Sequence, residues 1–197
     1  MPNAETGAEW DAEYRQGRWD FLLDIKEIPR TGILAGWLKA TGAGARVLDI
    51  GCGEGVLYAH LDQAGLEHYV GVDISEAALE RASVDPAKAR LVAADLQSFR
   101  PEPGETFTAI VFNEVLHFAE EPGSELRRYA DWLAPGGIMA VSMYAPWKET
   151  GGGYAKVKAM EAGSEDPFWE VLDALELTSQ SKNVRWRLRL LKRREMA

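Results

Sequence analysis

The nine residues Val47-Leu48-Asp49-Ile50-Gly51-Cys52-Gly53-Glu54-Gly55 constrain the fold more than any other stretch of this 197-residue chain. Val47, Leu48 and Ile50 form a short apolar run rich in β-branched side chains, the pattern of a strand buried in a parallel sheet. Glycines then stand at alternate positions, and Val56 to Leu61 follows with helical spacing, predicting a helix over 54–64 that stops at Gly65. Strand, glycine turn and helix in succession make a ligand site of the nucleotide type. The glycines let the backbone approach a ligand closely, and a helix start offers unpaired N–H groups.

The spacing separates possible ligands. A dinucleotide fingerprint requires G-x-G-x-x-G, and Val56 stands where its third glycine belongs. A P-loop requires G-x-x-x-x-G-K-[ST], which does not follow Gly51. What remains, D-x-G-x-G-x-G from Asp49 to Gly55, resembles motif I of the class I S-adenosylmethionine-dependent methyltransferases. The resemblance extends over residues 10–192. It implies an α/β fold with a doubly wound, seven-stranded, mostly parallel sheet closed by an antiparallel C-terminal hairpin. It also implies S-adenosyl-L-methionine as cofactor, with S-adenosyl-L-homocysteine as product. Asp49, Gly51, Cys52, Gly53 and Gly55 would then face the methionine part.

The strand order supports that fold. Residues 46–50, 69–75, 90–96, 107–113 and 138–144 read as strands, separated by helical or turn segments, as in a doubly wound sheet. Residues 31–41 carry Ile33, Leu34, Trp37 and Leu38 at helical spacing. Ser75 is placed to cap a helix over 76–83. Asp73 ends the second strand 18 residues after Gly55, where a carboxylate can accept both hydroxyls of a ribose. In the family this position is acidic and has that role. By the same resemblance Ile74 packs on the adenine, Asp95 accepts from its amino group and the Leu96 N–H donates to its ring. Asn113, at the end of the fourth strand, joins the cofactor set. Leu133 to Gly137 is the turn that the family places before strand five. Strands over 176–182 and 184–191 are too closely joined for a crossover, so they form a hairpin.

The N-terminal segment carries Trp10, Tyr14, Gly17, Trp19 and Phe21. Trp10 and Tyr14 share a helix face. Their spacing looks like the segment that closes over the methionine end in small-molecule methyltransferases, including the thiopurine type. Tyr14, Trp19 and the basic Arg30 are the candidates for that role here, against plain packing for the aromatics and a surface charge for Arg30.

Composition narrows the partners. Net charge is −9, which repels phosphate backbones and argues against nucleic acid. Residues 182–194 hold seven of the 22 bases and no acid. There Val184, Trp186, Leu188 and Leu190 alternate with Arg185, Arg187 and Arg189, a strand with one wet face. No apolar run reaches membrane-spanning length, and Met1 to Glu5 shows no export pattern. Cys52 is the single cysteine, so there is neither an internal disulfide nor a cysteine zinc cluster. The expected location is cytoplasmic and the expected partner a small-molecule acceptor; oligomeric state is not written in the sequence.

The chain divides as one domain: a helical cap (1–42), a cofactor-binding core (43–144), a lid insertion (145–175) and a C-terminal hairpin (176–197). The insertion carries Pro146-Trp147 and the Gly151–Gly153 hinge, with short helices predicted over 154–162 and 167–174. His117, after strand four, is the candidate general base, its ordinary pKa suiting neutral pH; a helix-start histidine bonded to backbone is the alternative. Glu114 and His117 stand three apart where ubiquinone-pathway and small-RNA methyltransferases hold a divalent cation through E-x-x-E. Here a histidine replaces the second acid, and no metal is assigned. The expected function is methyl transfer to oxygen or nitrogen of a small organic acceptor, in secondary metabolism. The alternative is a fold-mate that holds the cofactor without transferring methyl, as a cyclase or a cofactor-sensing subunit.

Overall fold

A computed structural model describes residues 6–194; the N-terminal stretch Met1–Glu5, read above for export signals, lies outside them. Strand β1 (Arg46–Ile50) lies inside a sheet with β2 (His68–Asp73), β3 (Ala89–Ala93), β4 (Phe107–Asn113), β5 (Leu133–Tyr144), β6 (Trp169–Ser179) and β7 (Val184–Arg193). The order is β3-β2-β1-β4-β5-β7-β6. The first five strands run parallel, and β7 pairs antiparallel with both β5 and β6. This is the doubly wound sheet with a closing hairpin that the sequence implied.

Alternation along each strand feeds two cores. Leu48, Ile50, Ile110 and Phe112 pack under α4 (Pro122–Ala130) and α5 (Gly152–Ser164), against Leu126, Tyr129, Val157 and Met160. Val47, Ala109, Val111 and Leu188 face the other way, against Leu34 and Leu38 of α2 (Ile28–Ala40) and Leu57 and Tyr58. Fully burying such a side chain contributes about 1.5–3 kcal/mol. Asp49 belongs by register to the second, apolar side, which makes its burial at 1% exposure the anomaly of the core.

The remaining helices hold the N-terminal segment down. Ser75 Oγ caps α3 (Glu76–Arg81) by accepting from the Ala78 N–H at 3.1 Å. Asp11, on α1 (Gly7–Arg15), accepts from Ser75 Oγ at 2.7 Å and the Ala77 N–H at 3.0 Å. Arg81 donates to the Tyr14 carbonyl at 2.6 Å and pairs with Asp20 at 2.6 Å.

Several expectations need correction. The helix over 54–64 does not form; only Tyr58–His60 makes a 3-10 turn. Gly55 sits at φ +77°, and the Asp62 side chain accepts from the Ala64 N–H, an alternative to helix bonding. The turn at Leu133–Gly137 is absorbed into β5 as a bulge between its pairings with Phe107 and Ala109. The helix expected over 167–174 is strand: β6 starts at Trp169 and pairs along its length with β7. The face of β7 carrying Arg185, Arg187 and Arg189 is not wet. The Glu161 carboxylate on α5 meets Arg187 at 2.9 Å and Arg189 at 3.0 Å, and Glu149 meets Arg185 at 3.1 Å.

Candidate functional site

A cavity of about 610 Å³ opens at the carboxyl edge of the sheet. Its floor is Ile50 and Gly51 after β1, Asp73 and Ile74 after β2, Asp95 and Leu96 after β3, and Asn113 and Glu114 after β4. Trp10, Tyr14 and Trp19 form a wall from the N-terminal segment. A second, smaller pocket of about 60 Å³ shares Tyr14, Trp19, Arg30, Gly51 and Asn113 with it, and adds Asp49, Cys52 and Gly53. Of the residues singled out in the sequence, Tyr14, Trp19, Arg30, Gly51, Asp73, Ile74, Asp95, Leu96, Asn113 and His117 line the large cavity. Gly55 lines neither; a Cβ there would point at Val84 and Ala82.

The glycine loop serves by closeness, not by donors. A Cβ on Gly53 (φ +52°) would meet the Tyr14 hydroxyl at 2.8 Å, and one on Gly51 (φ +71°) would meet Val115 at 2.8 Å. Most of its N–H groups already have protein partners. Gly51 and Cys52 donate to the Val72 carbonyl at 2.8 and 3.0 Å, and Gly53 donates to Asp73 Oδ2 at 2.8 Å. With no α-helix behind the loop, the aligned row of helix-start donors expected there does not form.

The side chains carry the polarity instead. Asp73 accepts from Gly53 and, at 2.9 Å, from the Ser75 N–H. Burial raises its pKa, and those backbone bonds only partly offset it. A carboxylate has about four lone-pair sites, more than these backbone donors fill. Asp49 Oδ2 accepts from the Tyr69 hydroxyl at 2.7 Å, while its Oδ1 is buried without a partner. Burial pushes its pKa up to about 7. Arg30, 4% exposed, donates to Asn113 Oδ1 and to Glu27 Oε2, yet its Nε is buried without a partner. Asp95 is committed locally, accepting from the Gln97 and Ser98 N–H groups and the Ser98 hydroxyl.

His117 departs from expectation in its chemistry. Desolvation by burial, with Lys156 adding a like charge, lowers its pKa to about 4. It is neutral at neutral pH and a weak base. Glu114 sits at φ +62°, with its carboxylate accepting from the Ser142 hydroxyl and the Tyr144 N–H, each at 3.0 Å. Burial raises its pKa, opposed by Arg30. Among the described residues no three His, Cys, Asp or Glu side chains gather as a metal set.

The segment read as a lid contributes nothing to the cavity wall: no residue of 145–175 lines it. Trp147 Nε1 donates to the Asn183 carbonyl at 2.7 Å, and Arg185 donates to the Pro146 carbonyl at 2.8 Å, which fixes the start of that segment to the hairpin. The far wall comes from Phe21, Leu22, Glu27, Tyr144, Lys182, Val184 and Trp186. Of these, Glu27 carries no signal in the sequence, and Lys182 stands out only as one base of the run 182–194; residues 155 positions apart give no local sign of their ion pair.

A family model described as a methyltransferase domain matches residues 12–189. The chain is 32% identical over 145 residues to the ubiquinone biosynthesis O-methyltransferase of Ralstonia nicotianae, a match covering 68% of this chain and 60% of that protein. Across such curated relatives the match spans between 37% and 60% of their length. The N-methyltransferase NodS from Bradyrhizobium japonicum, solved with S-adenosylhomocysteine, superimposes with a TM-score of 0.70 at 20% identity, covering 90% of this chain and 92% of that one. The 1,6-didemethyltoxoflavin-N1-methyltransferase of Burkholderia thailandensis gives 0.73 at 18% identity, covering 96% and 87%. At these identities the structural likeness is one of fold.

Proposed function

This chain belongs to the methyltransferase-domain family, of the class I S-adenosylmethionine-dependent type, and from that premise we propose that it transfers methyl from S-adenosyl-L-methionine to an oxygen or nitrogen of a small organic acceptor. The observation that carries the proposal is a pair of buried, unpartnered polar atoms of opposite charge, Asp49 Oδ1 and Arg30 Nε. Both side chains line the small pocket beside the glycine loop. Buried charges left short of partners are costly, and an amino-acid zwitterion would satisfy both at once. Asp49 would take the ammonium of the cofactor's methionine part and Arg30 its carboxylate.

The other groups fit the rest of the molecule. Asp73 would accept the ribose hydroxyls on its open lone pairs, Ile74 and Leu96 would flank the adenine, and Asp95 would take its amino group. Trp10, Tyr14 and Trp19 would keep water out. When bound, the cofactor supplies a methyl group already activated by its sulfonium, so the protein's share is mainly positioning. With its pKa near 4, His117 would be a poor base, which favours an acceptor that is acidic by itself. We propose no metal role for Glu114, whose carboxylate already accepts two protein donors.

The net charge of −9 supports a small-molecule acceptor rather than nucleic acid. Among the described residues no helix is long and apolar enough to cross a membrane, and we take the site of action to be the cytoplasm.

Calorimetry with S-adenosylhomocysteine and NAD tests the cofactor. The expected result is saturable binding of the first only, and binding of NAD alone would sink the assignment. Release of S-adenosylhomocysteine over a panel of hydroxyl, carboxyl and amine acceptors tests transfer. Cofactor binding with no turnover on any of them would favour the cyclase or sensing alternative.

A further inference from the structure

The cavity is longer than the cofactor set. It runs from Asp95 after β3 to Val184 and Trp186 on β7. From β2 to β7 the sheet takes four strand steps, at about 4.8 Å each, so the β7 wall stands roughly 19 Å from Asp73. Beyond Arg30 the lining is apolar and largely flat, with Phe21, Tyr144, Val184 and Trp186, and it carries two further charges, Glu27 and Lys182.

Those charges are unequally matched. Glu27, 4% exposed, holds a cation on each oxygen: Arg30 on Oε2 at 3.1 Å, and Lys182 on Oε1. One carboxylate thus serves two cations. An ammonium has three donors, and Glu27 occupies one of those on Lys182. The Lys182 Nζ also lies 4.4 Å from the centroid of the Phe21 ring, which holds it at the cavity surface. The neighbouring acid, Glu114, is already engaged by Ser142 and Tyr144, and its ion pair, at 3.9 Å, is with Arg30 rather than with Lys182. This end of the cavity therefore has spare donors beside flat apolar walls and no spare carboxylate.

We propose that the acceptor is an organic acid, a flat apolar body bearing a carboxylate, and that Lys182 is the residue that selects it. The proposal rests on the methyltransferase reading, which gives the β1–β3 end to the cofactor. The acceptor's carboxylate meets the open donors of Lys182, and its ring lies against Phe21, Val184 and Trp186. A protonated amine in the same place meets the Lys182 ammonium, whose partner Glu27 is already shared with Arg30, and is disfavoured by repulsion.

Benzoate and benzamide differ in charge but hardly in shape, and calorimetry on the full chain with each, with and without saturating S-adenosylhomocysteine, tests this. Benzoate should bind at least about tenfold tighter, as expected for one charge-assisted bond. Lys182→Met should abolish that preference and leave S-adenosylhomocysteine affinity within about twofold, and Lys182→Arg should keep most of it. If Lys182→Met fails to fold, Lys182→Gln makes the same comparison. Equal binding of the two probes, no binding of either, or a preference that survives loss of the ammonium overturns the proposal. Failure of S-adenosylhomocysteine to bind while the benzoate preference persists strikes the cofactor reading alone. Its binding with no preference strikes this proposal alone.

Discussion

Two buried carboxylates on the two halves of the sheet are treated in opposite ways. Asp49, on β1, is 1% exposed; one oxygen meets a tyrosine hydroxyl, the other nothing, and burial lifts its pKa to about 7. Glu161, on α5, is 6% exposed and meets Lys158, Arg187 and Arg189 within 3.0 Å. Burial works against ionisation there too, but Lys158 and the two arginines outweigh it and hold the pKa low. Glu161 is completed by the fold. Asp49 is left incomplete by it, and the proposed function gives that deficit to the cofactor's ammonium.

The contrast can be broken most forcefully at Glu161. Glu161→Ala takes from Arg189 its carboxylate partner and leaves Arg187 with Glu176 and Glu149 at 3.3 and 3.5 Å in a nearly buried site, which should cost about 3 kcal/mol. For a chain of this size that is roughly 6–12 °C in Tm. Denaturant melts should show the loss, and calorimetry should find cofactor affinity unchanged. A cofactor defect of comparable size would mean the two halves are not independent.

Asp73→Asn should do the reverse. Two hydrogen bonds to a charged group, at about 1.5–3 kcal/mol each, are weakened together, so S-adenosylhomocysteine affinity should fall about 100-fold with a modest effect on Tm. An affinity within twofold of the original would remove Asp73 from the ribose site.

A pH titration sharpens the comparison further. The native pKa of Asp49 lies above its unfolded value of 3.8. The folded protein thus keeps a proton that the unfolded chain gives up between about pH 4 and 7, and the Asp49 contribution to stability falls as pH rises through that window. Glu161, with its pKa lowered, contributes the opposite slope: its stabilisation is present above the ordinary carboxylate range and is lost as pH falls through its native pKa. An ammonium requires ionised Asp49, so cofactor affinity should weaken below about pH 7, approaching tenfold per unit. Asp49→Asn should flatten that profile, and a profile unchanged in the variant would assign the proton elsewhere.

The smallest effect is expected at His117. Already neutral above about pH 4, it should give no rise in rate through the ordinary imidazole range. His117→Asn should keep kcat within about threefold, where loss of a true general base would cost 10²–10⁴-fold. A loss of that larger size would restore His117 to the chemistry.

The sequence by itself determined the β1–glycine–β2 unit, the aspartates that end β2 and follow β3, and the parallel order of the first five strands. Each is announced within about ten residues by an apolar run, a turn glycine or a cap such as Ser75. Other features depended on partners far along the chain, and only the tertiary structure decided them. Residues 167–174 read as a short helix, but the backbone ladder to β7 takes the segment as strand, and a bulge between Val171 and Asp173 resets its register. The arginines of β7 look solvated until α5 lays Glu161 across them. The imidazole of His117 looks well tuned until burial beside Lys156 lowers its pKa. The Glu27–Lys182 pair joins residues 155 positions apart. Backbone pairing, desolvation and Coulomb attraction act through space, and only the folded chain sets those distances.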